Sequence, residues 1–207
     1  MQLEAFQDFC NKISVRDDVE LYEKLELYEA LLVKWQKAIN LVAPSTLPHI
    51  WHRHILDSLQ LVPFLPEGCK TIVDIGSGAG FPALVLAIAR PYIQVTCIES
   101  DLKKAQFLQN VSRETNANLT VLNERIERVQ LGTAPDLVTA RALSSLDQLC
   151  AYMQGLGAVR GLFLKGENVE QEIERARTLY SFEHKCHASE TSKSGKLLFL
   201  SNLRPCG

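Results

Sequence analysis

No stretch of this 207-residue chain approaches the roughly eighteen uninterrupted apolar residues of a membrane-crossing helix, so no span is expected. Its opening residues, Met1-Gln2-Leu3-Glu4-Ala5-Phe6, lack a basic segment followed by an apolar run, so no signal peptide is expected either. The six cysteines (Cys10, Cys69, Cys97, Cys150, Cys186 and Cys206) form no Cys-x-x-Cys pair. That scatter argues against a zinc cluster or a disulfide framework and for reduced thiols in a cytoplasm. A basic excess is also missing. With a net charge of −2, any contact with nucleic acid has to come from local patches. No internal repeat or low-complexity segment is visible. What is present, 46% hydrophobic and 22% charged residues, is the composition of an ordinary globular protein with one sizeable core.

The densest local signal is Val73-Asp74-Ile75-Gly76-Ser77-Gly78-Ala79-Gly80-Phe81-Pro82. It reads as a buried strand entering a glycine loop that opens a helix. Glycine at every second position permits a sharp turn and close approach to a ligand. Pro82 suits a first helical residue, whose N–H would be unpaired in any case. A dinucleotide fingerprint needs a third glycine where this chain has Phe81, and it does not carry an acid at the place of Asp74. Asp-x-Gly-x-Gly-x-Gly instead resembles the first motif of the S-adenosylmethionine-dependent methyltransferases. Glu99 ends the next strand-like run about twenty residues on, where an acid that accepts ribose hydroxyls is expected.

Elsewhere the periodicity changes along the chain. Leu21, Leu25, Tyr28, Leu32, Trp35 and Ile39 form one apolar stripe on a helix starting near Asp17 or Asp18. From Thr71 onward, strands at 71–75, 94–99, 119–123, 135–140 and 159–164 alternate with helices such as 82–90 and 101–115. This predicts a mostly parallel sheet with helices on both faces. Phe182 to Leu203 adds two strands around a hairpin turn at Ser192-Lys193-Ser194-Gly195. Ligands of such sheets bind at the carboxyl ends of the strands. That rule selects Glu124-Arg125-Ile126-Glu127 after the third strand, Arg141 after the fourth and Lys165-Gly166 after the fifth.

After the fourth strand the chain reads Thr139-Ala140-Arg141-Ala142, without the Asn/Asp-Pro-Pro-aromatic signature of adenine and cytosine amino-group methylation. Cys150 falls well inside the next helix, so it is expected to be a packed thiol rather than a nucleophile. The target is then an atom with a free lone pair. In the segment His49 to Leu59, Arg53, His54, Asp57 and Ser58 cover one arc of a helix, while Trp51, Ile55, Leu59 and Val62 face the core. That arc is expected to face a cleft or a partner. His49 and His52 share a face, but no third ligand is evident, so no metal is assigned. His184 and His187 are expected at the surface of a strand.

Taken in order, Asn40-Leu41, Arg53-His54-x-x-Asp57-Ser58, the glycine motif through Pro82, Arg141-Ala142 and Leu164-Lys165-Gly166 resemble the RsmG (GidB) family. These are bacterial small-subunit rRNA guanine-N7 methyltransferases. The resemblance covers most of the chain, and the Arg-His-x-x-Asp-Ser helix is its most specific part. Departures are Ser77-Gly78-Ala79, where relatives often carry threonine and proline, and Glu99, where some carry aspartate. The resemblance implies a Rossmann-like class I methyltransferase fold with a seven-stranded sheet, an N-terminal helical extension over residues 1–65 and a methyltransferase domain over 66–207. It implies S-adenosylmethionine as cofactor, with Gly76, Phe81, Ile126, Glu127 and Arg141 at the family's cofactor-contacting positions; the glycine motif and the next strand end add Asp74, Gly78, Gly80 and Glu99 to the expected cofactor site. Arg141, Lys165, Arg53, His54 and Asp57 are the expected catalytic group, with Arg141 and Lys165 positioning base or phosphate. The implied substrate is guanine 527, in the usual rRNA numbering, within 16S rRNA of the small subunit or an assembly intermediate. No membrane and no obligatory protein partner are implied.

A small-molecule methyltransferase remains the chief alternative. An RNA enzyme should lose activity steeply with salt through contacts from residues such as Lys34, Lys37, Arg53, Lys103, Lys104, Arg125, Lys193 and Lys196. A nicotinamide oxidoreductase and a non-catalytic binding module stand further off.

Overall fold

The computed structural model describes residues 1–16 and 18–206. Two helices come first, α1 (Leu3–Lys12) and α2 (Val19–Gln36). Asp18 caps α2 by accepting the Leu21 N–H at 2.7 Å, a cap that contributes about 1 kcal/mol. The alternative start, Asp17, lies outside the described residues. Leu21, Leu25, Tyr28 and Leu32 are buried as the stripe predicts, and Trp35 is half-buried. Ile39 lies past the end of the helix. There the Gln36 side chain turns the chain by accepting the Leu41 and Val42 N–H groups and donating to the Val42 carbonyl.

The helix expected around Arg53 is wound in two ways. Trp51–Ile55 forms a π-helical turn that runs into a short α3 (Leu56–Leu59). Such turns recur at functional sites because they re-aim side chains. Trp51, Ile55, Leu59 and Val62 point inward as expected. The polar arc, however, is not wholly wet. Ser58 is fully buried and donates to the His54 carbonyl at 2.7 Å, which satisfies a hydroxyl that water cannot reach.

The remainder alternates strand and helix: β1 (Thr71–Ile75), α4 (Ala83–Ala89), β2 (Gln94–Ile98), α5 (Leu102–Thr115), β3 (Leu119–Leu122), β4 (Leu137–Arg141), α6 (Leu146–Gly155), β5 (Gly161–Lys165), α7 (Val169–Ala176), β6 (Tyr180–Ala188) and β7 (Lys196–Pro205). These strands form one seven-stranded sheet in the order β3-β2-β1-β4-β5-β7-β6. The first five are parallel, while β7 runs antiparallel between β5 and β6. Arg141 and Lys165 are the last residues of their strands rather than the residues after them.

Alternation along the strands feeds two cores. Ile72, Leu137, Leu162 and Leu197 join an apolar cluster with α2, α4 and α5, which also takes in Phe6 and Trp51. Their neighbours Val73, Val138, Phe163 and Leu198 face the opposite way, onto α6 and α7. Period-two patterning on a sheet covered on both faces produces this division. The N-terminal helices therefore share a core with the sheet.

Candidate active site

Between β1 and α4 the chain passes through Gly76, Gly78 and Gly80 at φ of +63°, +55° and +92°. Side-chain-bearing residues are strained in this region, which accounts for the three glycines. The loop is pinned from several sides. Ile98 O accepts the Gly76 N–H at 2.9 Å, and Ser77 Oγ donates to Asp74 O at 3.0 Å. Glu99 is buried and accepts from the Gly78 N–H at 2.7 Å and the Asp101 N–H at 2.8 Å. Pro82 is the residue just before α4, which starts at Ala83.

The loop also leans on the N-terminal region. Tyr28, fully buried in α2, donates its hydroxyl to the Ala79 carbonyl and packs its ring 5.1 Å from that of Phe81. Replacing Tyr28 by phenylalanine leaves the Ala79 carbonyl unpaired in a dry site, a loss of about 1–3 kcal/mol. The melting temperature in a thermal scan should fall by roughly 2–12 °C.

A cavity of about 520 Å³ opens at the carboxyl ends of the central strands. The glycine loop, the Arg53–Asp57 segment, the ends of β4 and β5 and the hairpin loop from Ser189 to Lys196 wall it. Arg141 lines it from the end of β4. Its Nη1 donates to the Arg53 carbonyl at 3.1 Å and to His54 Nδ1 at 2.7 Å, and the guanidinium sits 4.9 Å over the Phe81 ring. Asp57 Oδ2 lies 3.8 Å from Nη1. Arginine has no acceptor, so His54 Nδ1 must carry the lone pair and Nε2 the proton, which it donates to Thr46 Oγ1 at 2.8 Å. Burial and then the nearby Arg141 charge lower the His54 pKa to about 3. The imidazole is therefore neutral and holds Arg141 in place.

Lys165 reaches the cavity from the end of β5. Its ammonium, on the cavity wall, is ion-paired with Glu172 at 2.5 Å and donates to the Ser144 carbonyl at 3.1 Å. Glu172 also accepts the Leu146 N–H at 2.8 Å. The pair clamps the loop after β4, in which Ala142 takes a φ of +50° and Leu143 covers Gly76.

Of the expected residues, Arg53, His54, Asp57, Gly76, Gly78, Phe81, Arg141 and Lys165 meet at the cavity. Gly80 does not; a Cβ there would lie 2.4 Å from Leu84 Cδ1, so this glycine permits close packing of α4. Asp74 is buried beneath the loop, accepting from Thr139 Oγ1 at 2.7 Å. Ile126 and Glu127 sit beyond β3, outside the cavity lining, with Glu127 accepting from Tyr152 Oη at 3.1 Å. Cys150 is a core thiol whose burial pushes its pKa up to about 12. Among the described residues no group of three or more His, Cys, Asp or Glu could hold a metal. Nor is any helix there long and apolar enough to cross a membrane.

Several residues at the site carry no sequence signal. Gln60, 1% exposed, bonds to Asp57, Ser189, Glu190 and Thr191 and so ties α3 to the β6–β7 loop. Only its position three residues after Asp57 hinted at a partnership. Thr191, Ser189 and Glu172 gave no hint.

A mostly parallel sheet with an antiparallel β7 inserted before β6, and a glycine loop at the end of β1, defines the class I methyltransferase fold. A SAM-dependent methyltransferase from Aquifex aeolicus shares it, with a TM-score of 0.56 at 14% identity over 82% of this chain and 97% of that one. So does TYW2 of M. jannaschii, solved in complex with AdoMet, at a TM-score of 0.57 and 14% identity over 74% of this chain and 77% of that one. The chain belongs to the GidB family, rRNA small subunit methyltransferase G, whose model matches residues 21–199. It is 41% identical to ribosomal RNA small subunit methyltransferase G of Rickettsia prowazekii (strain Madrid E), over 89% of this chain and 95% of that protein.

Proposed function

We propose that this protein transfers a methyl group from S-adenosylmethionine to N7 of a guanine in 16S rRNA, at the position numbered 527. The observation that carries the reading is the Arg141–His54–Asp57 constellation set against the glycine loop in one cavity.

The residues present fit the cofactor. Asp74 Oδ2 is buried without a hydrogen-bond partner among the described residues, and burial raises the Asp74 pKa to about 6. A buried, orphaned acceptor at this place suits an ammonium donor such as that of the cofactor's amino-acid part. Gly78 lines the cavity, and a Cβ there would meet only the Gly76 carbonyl, at 3.8 Å, which leaves its backbone open to close approach. Gly76 and Gly78 on the cavity wall, with Asp74 and Glu99 buried against the same loop, would hold the group. When bound, it supplies a methyl on a sulfonium, a strong electrophile needing no further activation.

The protein's own part is alignment. His54 has both nitrogens engaged and a depressed pKa, so it is not available to take a proton. A nucleophile with a lone pair and no proton to lose, such as guanine N7, has no need of that service. Holding such an atom in line can contribute about 7–11 kcal/mol. Arg141 is fixed by His54, the Arg53 carbonyl and the Phe81 ring, and offers its remaining N–H groups to base or phosphate. In A-form RNA N7 faces a groove too deep and narrow for side chains, so a loop or extruded guanine is the target.

Labelled S-adenosylmethionine supplied with small subunits lacking the modification, with naked rRNA in parallel, tests the reading. Nucleoside mass spectrometry should find 7-methylguanosine at one rRNA position. Cofactor binding without label in either RNA would overturn it in favour of a small-molecule acceptor.

A further inference from the structure

We propose that Asp57 selects guanine at this cavity by accepting from the donor edge of the base, N1–H and the N2 amine. The inference rests on the guanine reading above and assigns its specificity to one carboxylate oxygen.

The two oxygens of Asp57 are not equivalent. Oδ1 accepts from Thr191 Oγ1 at 2.6 Å and from Gln60 Nε2 at 2.9 Å. Gln60 is itself locked, its Nε2 reaching Ser189 Oγ and Thr191 Oγ1 at 3.1 Å each and its Oε1 accepting the Glu190 N–H at 2.8 Å. These contacts join residues about 130 positions apart in sequence and fix the carboxylate on the cavity wall. Oδ2 is left over. Its nearest cation, Arg141 Nη1, lies 3.8 Å away, beyond hydrogen-bond reach. The other carboxylate of the wall, Glu172, is committed to Lys165 and the Leu146 N–H.

An oriented, acceptor-only oxygen favours a base that presents adjacent donors. Guanine offers two, N1–H and the N2 amine. Adenine, cytosine and uracil each set a single donor beside acceptors, which a carboxylate repels. Methylation at N7 also leaves the ring positively charged, and a fixed negative group beside it favours the transition state over the ground state. A site built to hydrogen-bond a donor rejects an analogue lacking it, because the acceptor is then left unpaired. Inosine, which is guanosine without the N2 amine, is that analogue.

The test compares methyl transfer to small subunits reconstituted with guanine or inosine at the methylated position, for the wild type, Asp57→Asn and Thr191→Val. Asparagine can keep its Oδ1 in the Gln60–Thr191 network while turning the cavity-facing acceptor into a donor. The wild type should prefer guanine by about tenfold or more in kcat/KM. Asp57→Asn should lose about 100-fold on guanine and bring the guanine-to-inosine ratio near one. Thr191→Val, which releases Oδ1 but keeps the charge, should reduce the ratio severalfold and carries the test if Asp57→Asn does not fold. A wild-type ratio near one, or equal losses on both substrates with the ratio intact, would make Asp57 only a support for Arg141 and overturn the proposal. Should the wild type form a product other than 7-methylguanosine, the functional reading fails and the proposal with it; 7-methylguanosine with an unmoved ratio overturns the proposal alone.

Discussion

Arg141→Ala should lower kcat/KM for methyl transfer by about 100- to 1000-fold, the scale of losing one preorganised charged group from a closed site. The guanidinium holds four neighbours in register: the Arg53 carbonyl, His54 Nδ1, the Phe81 ring and Asp57. Its removal strands the half-buried Asp57, whose pKa burial already raises, without a counter-charge. Loss of one partner from such a pair costs stability as well, about 3–5 kcal/mol when burial is complete and less here. Arg141→Lys separates the two effects. Lysine keeps the charge but is a point donor that cannot reach His54 and the Arg53 carbonyl while lying flat on Phe81. The lysine variant should therefore melt close to the wild type in a calorimetric scan and still lose most of the rate. A lysine variant with near-normal kcat/KM would show that charge alone matters at this position.

Gly80→Val is expected to have the largest effect on stability. At φ of +92°, a β-branched residue is strained by about 1–3 kcal/mol. Its Cβ would also lie 2.4 Å from Leu84 Cδ1 and 2.9 Å from Leu108 Cδ2, both fully buried side chains that would have to shift. Overpacking of that kind adds about 1–3 kcal/mol. For a chain of this length the sum corresponds to a fall of roughly 10 °C in melting temperature, readable by circular dichroism. The same change at Gly78 should be milder for the fold, since a Cβ there meets only the Gly76 carbonyl, at 3.8 Å. Equal melting points for the two variants would mean that the glycines serve the backbone turn and not the packing.

Much of the architecture was legible because it is local. Alternation at Ile72-Val73 and Leu162-Phe163 marks strands covered on both faces, and the 3.6-residue stripe through Leu21, Leu25, Tyr28 and Leu32 marks α2. Strand ends were located to within about two residues, so the rule that ligands gather at carboxyl ends brought Arg141 and Lys165 to the right edge of the sheet. The same rule selected Ile126 and Glu127, which follow β3 at the edge of the sheet and lie outside the cavity lining. Helical periodicity placed Arg53, His54, Asp57 and Ser58 on one arc, yet Ser58 is dry and His54 nearly so. A wheel shows direction and says nothing of what another segment lays against it.

By itself, the sequence determined the glycine loop, the strand and helix pattern and the set of charged residues available to the site, since each depends on neighbours a few positions away. The tertiary structure alone decided what those charges do. It turned Lys165 into a clamp through Glu172, made His54 a neutral acceptor for Arg141, and oriented Asp57 through Gln60 and Thr191. Protonation, tautomer and hydrogen-bond occupancy are set by groups brought together from distant parts of the chain, in a medium where burial shifts the balance between charged and neutral forms.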